Sequence, residues 1–177
     1  MKNSCSRLSC IALAFAGIFV LDVGACPGSP SKVHAKCDIT VQFTSPCSVI
    51  LEEIVSRGKG ENNWTDPHNQ GTYSLEAKEM GTRVEGSRRT GDGKYTDLFD
   101  FQLQDDGNGG CKVRACSESQ VYSILDFSTN YCNLRSLYCN KKDDHCPIVS
   151  ADLDYEETYN SCRQRDARKC IAFRADA

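Results

Sequence analysis

The sequence contains few of the residues that carry nucleophilic and metal chemistry. Histidine occurs only at positions 34, 68 and 145 of the 177 residues. The glycine-x-serine-x-glycine motif of a nucleophile elbow is absent. The chain also lacks an excess of positive charge, because 24 acidic residues outnumber 21 scattered lysines and arginines and no basic stripe forms. Nucleic acid is therefore disfavoured as a partner.

A hydrophobic run long enough to span a membrane is also missing. The apolar run Ile11–Leu21 has eleven residues, whereas a transmembrane helix needs roughly 20. Positive residues precede this run and the small residues Val23-Gly24-Ala25 follow it, which is typical of a signal peptide over residues 1–25. The sequence thus predicts an exported protein, secreted to the extracellular space. The alternative is a bacterial lipoprotein anchored to a membrane through Cys26.

Cysteine, in contrast, is abundant. Of the twelve cysteines, two lie in the predicted signal peptide. An even number in the remainder of an exported chain of this size predicts five disulfides. The ten cysteines expected to form them are Cys26, Cys37, Cys47, Cys111, Cys116, Cys132, Cys139, Cys146, Cys162 and Cys170.

Spacing limits how two of these cysteines pair. Cys132 and Cys139 lie seven residues apart on a predicted helix, and therefore on one face of it, so each is expected to reach a different element. A zinc site of Cys132, Cys139, His145 and Cys146 is the alternative, but its spacing is not that of a standard structural zinc site. We expect no bound metal and no cofactor.

Residues 26–36 show no periodicity and are interpreted as a leader or linker. The alternating segment Asp38–Phe43 then predicts a half-buried strand. Ser45 is placed to cap a helix whose first residue is Pro46, and apolar residues at spacings of three and four carry this helix to about Arg57.

Four extended runs follow, separated by turn residues. They are Thr72–Met80, Thr82–Arg89, Tyr95–Gln104 and Cys111–Ser119. The glycine-rich segment Asp105–Gly110 between the last two is typical of a hairpin loop. A calcium loop over residues 105–108 is a weaker interpretation, because the spacing of acidic residues in known calcium loops is missing.

A second helix is predicted over Asn130–Cys139. Residues 37–146 should then form one α+β domain in two layers. Its antiparallel sheet of about four to five strands would carry the helices on one face and would be stapled by disulfides. Residues 147–177 are predicted to form a charged, helical extension tied to the domain by disulfides.

The segment from Val113 to Arg135 resembles the closing part of an uncharacterised domain family found in bacterial exported proteins and plastid proteins. At the positions of that family's pattern the chain has Val113, Arg114, Ser117, Ser119, Gln120, Tyr122, Ser123, Asp126, Ser128, Asn130 and Arg135. Gln120 stands where that family has arginine, and Tyr122 stands where it has glycine. The cysteine-rich chain is also similar to uncharacterised secreted proteins of algae and protists. These resemblances imply a fold and export, and no particular reaction.

A small extracellular hydrolase is one alternative function. His68 would be its base, Asp66 would orient the ring, and Ser117, Ser119 or Ser123 would be the nucleophile. Each serine suits a polar turn equally well.

Paired carboxylates are a second catalytic alternative, because glycoside cleavage uses two of them. The two conceivable pairs are Asp97 with Asp100, and Glu118 with Asp126. A charge content of 25% is ordinary, so solvated strand faces explain these residues as well.

A polar set between the last strand and the second helix has two interpretations. Buried amides and hydroxyls need hydrogen-bond partners, so an internal network that fixes this corner is favoured. In the other interpretation they line a ligand pocket with aromatic walls, including Phe127. The candidate binding residues are Ser117, Ser119, Gln120, Tyr122, Asn130 and Tyr131.

Together these patterns predict a secreted, disulfide-rich binding or interaction module that is not an enzyme. Its partner would be a protein or a small apolar ligand. The sequon Asn63-Trp64-Thr65 lies in a polar loop and predicts a glycan at Asn63 in a eukaryotic host.

Overall fold

The computed structural model describes residues 26–78, 81–143 and 145–171. The predicted signal peptide lies outside these residues. Six strands form one antiparallel sheet in the order β2-β3-β4-β5-β1-β6. The strands are β1 (Lys36–Phe43), β2 (Thr72–Lys78), β3 (Arg83–Arg89), β4 (Thr96–Asp105), β5 (Cys111–Ser119) and β6 (Tyr155–Cys162). The predicted α+β class with an antiparallel sheet is confirmed.

Two helices, α1 (Cys47–Gly58) and α2 (Thr129–Arg135), pack against one face of the sheet, which we call the inner face. Alternate residues of β4 and β5, such as Phe99, Phe101 and Val113, point to this face and are fully buried. The core is therefore the layer between the sheet and the helices, and the opposite face of the sheet carries mainly polar side chains.

The predicted start of α1 was wrong by one residue. The helix begins at Cys47, and Pro46 is the capping position, with extended backbone at φ −60° and ψ 151°. The Pro46 carbonyl accepts the first hydrogen bonds of the helix, from the Val49 and Ile50 amides at 3.0 and 3.3 Å, so Pro46 and not Ser45 is the capping residue. α2 is also shorter than predicted, and hydrogen-bonded turns continue from Ser136 to Cys139.

The C-terminal segment is not the predicted helical extension. Residues 155–162 form β6, which pairs antiparallel with β1 and is the sixth strand of the same sheet. The domain therefore extends past residue 146. The sequence of β6 does not show the alternation of apolar and polar residues that predicts a strand, because the charged residue Glu157 faces inward. It accepts hydrogen bonds from Tyr131, Tyr138 and Arg135 at 2.6–2.7 Å.

The predicted leader is held against the polar face of the sheet. Cys26 is bonded to Cys116 of β5. The Gly28 amide donates to the Glu118 carboxylate at 2.6 Å, and Gln120 Nε2 donates to the Gly28 carbonyl at 2.9 Å. Residues 26–35 are thus an ordered part of the domain.

All ten predicted cysteines form five disulfides. The pairs are Cys26–Cys116, Cys37–Cys162, Cys47–Cys111, Cys132–Cys170 and Cys139–Cys146. The prediction that Cys132 and Cys139 do not bond to each other is confirmed. The bridges exclude Cys132, Cys139 and Cys146 as zinc ligands, and they exclude Cys26 as a lipid anchor.

Candidate functional site

The segment Val121–Phe127, which we call the apolar loop, exposes a row of large hydrophobic side chains. Tyr122, Ile124, Leu125 and Phe127 are each 64–69% exposed. Single exposed apolar residues are ordinary on protein surfaces, whereas a contiguous patch of them marks an interaction site. The apolar loop is therefore the first candidate for function.

Polar residues hold the apolar loop in its outward conformation. The Ser123 amide donates to the Val33 carbonyl at 3.2 Å, and Ser123 Oγ accepts from the Ala35 amide at 2.9 Å. The Asp126 carboxylate accepts from the Asn130 amide at 2.9 Å. Phe127 has a left-handed backbone with φ of 53°, which costs energy in a residue that is not glycine. The apolar side chains are thus prevented from folding onto the core.

A cavity of about 480 Å³ lies beside the apolar loop. Tyr95 and Thr90 of the β3–β4 hairpin form its opposite wall, and Asp97, Ser119 and Thr129 form its floor. This volume lies within the range of small-molecule sites, which is about 300–1,000 Å³. We call this cavity the groove.

Buried polar side chains support the floor of the groove. Asn133 Nδ2 donates to Asp97 at 2.9 Å and to Ser117 Oγ at 3.0 Å. Ser117 Oγ donates to Asn130 Oδ1 at 2.8 Å, and Asn130 Nδ2 donates to Ser119 Oγ at 2.9 Å. The network links β4, β5 and α2, so the floor is rigid while its apolar rim is exposed.

Asp97 is the acidic group of the floor. Its residue is only 3% exposed. Burial raises the pKa of Asp97, although hydrogen bonds from Asn133 and Ser119 and the charge of Arg88 act in the opposite direction. The donors and the Arg88 charge thus only partly offset the cost of burying the Asp97 carboxylate.

The structure places the predicted binding residues in four different settings. Ser119 and Tyr122 line the groove, whereas Ser117 and Asn130 lie beneath its floor with no exposure. Gln120 holds the N-terminal segment. Tyr131 is buried on the far side of α2, where it bonds to Glu157.

Several residues that line the groove were not predicted as binding residues, including Tyr95, Asp97, Ile124 and Leu125. One signal for the last two was present. Adjacent apolar residues between Ser123 and Asp126 interrupt a segment that is otherwise suited to a turn, and such a run in a loop indicates an exposed contact surface.

The catalytic constellation of the hydrolase alternative does not assemble. His68 Nδ1 bonds to the Lys169 carbonyl at 2.7 Å and Nε2 to Thr129 Oγ1 at 3.4 Å. The Asp66 carboxylate accepts a hydrogen bond from the backbone amide of His68 and not from its imidazole ring. Asp66 also forms an ion pair with the buried Arg88. Ser117 is sealed inside the amide network. Burial lowers the pKa of His68, but no catalytic partner accompanies it among these contacts.

The proposed carboxylate pairs are also divided. Asp97 points to the inner face of the sheet, whereas Asp100 lies on the outer face and pairs with Arg83 at 2.7 Å. Glu118 likewise binds the N-terminal segment on the outer face, and Asp126 binds Asn130 on the inner side. Residues three apart on a strand point to opposite faces, which sequence proximity conceals.

The turn Asp105–Gly110 forms a hairpin loop, as predicted. Asp106 Oδ1 accepts from the Asn108 and Gly110 amides at 2.8 and 2.9 Å. These amide donors occupy the carboxylate, so the turn needs no cation. Asn63 lies exposed in a short 3-10 helix, Glu61–Asn63. Its glycosylation stays a prediction.

Comparisons with known proteins yield only distant structural similarity. No family model and no curated protein matches the chain. The chain is similar to the Mll3558 protein from Rhizobium loti, with 12% identity, a TM-score of 0.40, and coverage of 59% of this chain and 92% of that chain. It is also similar to CalU16 from Micromonospora echinospora, with 11% identity, a TM-score of 0.34, and coverage of 50% of this chain and 62% of that chain. Function must therefore be argued from the site.

The number of disulfides is compatible with an extracellular protein, because such bridges persist in oxidising compartments. Within the residues that the structure describes, no helix is long and apolar enough to cross a membrane.

Proposed function

We propose that this protein is an exported, non-catalytic binding module that takes a small apolar ligand in the groove. One observation carries the proposal: the apolar loop exposes four large hydrophobic side chains at the rim of a cavity of about 480 Å³. A ligand seated there would remove apolar surface from water, which stabilises by roughly 25 cal/mol per Å².

The anchoring of the apolar loop supports a preformed site. Ser123 and Asp126 fix the two halves of the loop through backbone amides, so the ligand need not order the loop when it binds. Preorganisation of this kind increases affinity by reducing the entropy lost on binding. The concave shape favours a small ligand over a flat protein surface.

A neutral apolar dye, Nile red, tests the proposal directly. We expect saturable binding with a blue-shifted emission from the purified, oxidised protein. Changing Ile124 and Leu125 together to serine removes two aliphatic side chains from the rim and should weaken binding by about 10- to 100-fold. A dye that does not saturate, or that binds this variant equally well, would contradict the proposal.

Val33→Ser is the matched control. Val33 is also an exposed aliphatic residue, at 49%, but it does not line the groove. The dye affinity of this variant should equal that of the wild type. Native mass spectrometry of the purified protein provides an independent test, because a co-purified ligand adds mass that disappears on denaturation.

A further inference from the structure

The side chains that line the groove include negatively charged groups but no positively charged ones. Its twelve lining residues include two carboxylates, Asp97 and Asp126, and no lysine or arginine. Three of its walls are aromatic, namely Tyr95, Tyr122 and Phe127. Aromatic faces and carboxylates both attract cations, and together they are a recurrent way of recognising an ammonium group.

Asp97 has the better position of the two carboxylates for meeting a ligand. The Asp126 carboxylate is already engaged by the amides of Ser128 and Asn130 and by Asn130 Nδ2. Asp97 lies in the floor of the groove, where the neutral side chains of Asn133 and Ser119 donate hydrogen bonds to its carboxylate. No formal positive charge is supplied by these donors.

Two cations lie near the groove, and neither is part of its lining. Arg88 lies opposite Asp97 in the β3–β4 register, but its guanidinium forms an ion pair with Asp66 and donates to Asn69 at 2.6 Å. Lys169 Nζ lies 5.3 Å from the centre of the Phe127 ring and is not part of the groove lining. The Arg88 charge favours the Asp97 carboxylate but is shared with Asp66, and the groove lining itself carries two carboxylates and no lysine or arginine.

We infer that the groove selects an amphiphile with a cationic head, whose ammonium lies against Asp97 and the aromatic walls while its apolar tail covers the apolar loop. This inference rests on the proposed function, because it names the class of ligand for the same site. An anionic amphiphile would place its carboxylate beside Asp97, and like charges in a partly dehydrated site are unfavourable.

Three ligands that share a ten-carbon tail and differ only in the head group isolate the effect of the head group on affinity. They are decyltrimethylammonium, neutral decyl glucoside and decanoate, each used as monomer at low ionic strength and pH 7 to displace Nile red. We expect the cation to bind at least tenfold more tightly than decanoate, with the neutral ligand between them. Equal affinities, or tighter binding of decanoate, would overturn the inference.

Asp97→Asn tests the assigned residue. This change keeps a side chain of the same shape but removes the charge, so the affinity of each charged ligand is compared with that of decyl glucoside in the same variant. The preference for the cation over decanoate should fall by fivefold or more. An unchanged preference would overturn the assignment of Asp97.

Asp154→Asn is the control for net charge. It makes the same change of charge at an exposed residue that is paired with Lys142 and is not part of the groove lining, and it should leave the preference intact. The two proposals fail in different ways. If Nile red binds and the head group has no effect, only the cationic selectivity is wrong, whereas absence of binding by every probe would reject the groove itself.

Discussion

Arg57 Nε donates to Glu53 Oε1 at 2.6 Å, and both side chains are completely enclosed by the protein. The same carboxylate accepts the amides of Val149, Ser150 and Ala151, and Arg57 also donates to the Ser136 and Cys139 carbonyls. This ion pair therefore joins α1 to the turn after α2 and to the segment that leads into β6.

Glu53→Gln should strongly destabilise the fold, because it leaves the Arg57 guanidinium buried without a counter-charge. Breaking one partner of a buried pair costs about 3–5 kcal/mol. The free energy of unfolding in urea measures this loss. Asp154→Asn, which breaks an exposed pair with Lys142, should cost no more than about 1 kcal/mol. Equal losses in the two variants would contradict the structural role of the buried pair.

The same pair predicts a loss of stability in acid. Burial by itself would raise the pKa of Glu53, but the Val149 and Ala151 amides and the Arg57 charge outweigh burial and hold the pKa below its usual value. Stability from Glu53 is therefore present above the unfolded pKa of about 4.3 and is lost as pH falls through the lower folded value. Urea unfolding from pH 6 to pH 3 should show this loss in the wild type and less of it in Glu53→Gln.

Asp97 should produce the opposite pH dependence. Burial raises its pKa in the folded state, so its contribution to stability is present below about pH 3.9 and is lost as pH rises through the folded pKa. The groups that act on it are Arg88 from β3, Asp126 from the apolar loop, Asn133 from α2 and Ser119 from β5. Asp97→Asn should therefore gain stability relative to the wild type between pH 4 and pH 7, and a constant difference would contradict the raised pKa.

Asn130→Ala should loosen the corner beneath the groove. Asn130 is bonded to Ser117 and Ser119, and its removal leaves buried hydroxyls without these partners, at about 1–3 kcal/mol each. We expect a loss of about 2–3 kcal/mol in the free energy of unfolding and weaker Nile red binding. Asn160→Ala removes an exposed amide bonded to Asp38 and Thr40 and should cost about 0.5 kcal/mol or less.

The disulfide connectivity predicts the products of a non-reducing digest. Peptide mapping should recover five cross-linked pairs, among them Cys37–Cys162, which are separated by 125 residues, and Cys139–Cys146, separated by 7. The same digest after reduction is the control. A free cysteine among the ten, or a bond between Cys132 and Cys139, would contradict the fold.

The strands could be predicted from the sequence where their inward-facing residues are apolar. Phe99, Phe101 and Val113 alternate with polar residues, so β4 and β5 were located to within a residue or two. β6 was missed, because its inward-facing residue Glu157 is charged and is neutralised by Arg135 of α2, which comes from another element. A local pattern cannot reveal a charge that is satisfied across the fold.

The groove was harder to predict than the fold. An internal hydrogen-bond network that includes Ser117, Ser119 and Asn130 was the favoured interpretation of this corner, since buried amides need partners. Its acidic member Asp97 belongs to β4 and was assigned instead to a pair with Asp100, because neighbours in sequence lie on opposite faces of a strand. Tyr95 reaches the groove only through the register of the β3–β4 hairpin, which spacing alone does not give.

The spacing of the bridges determines when each can close as the chain is synthesised from its N-terminus. Cys26, Cys37 and Cys47 all appear before any native partner, and the first native bridge, Cys47–Cys111, must wait until residue 111 is available. Cys132–Cys170 closes last, near the end of the chain. Three thiols are therefore present together without a native partner while the 64 residues from Cys47 to Cys111 are synthesised, so correct assembly depends on an environment that can reshuffle early, wrong bridges as well as oxidise new ones.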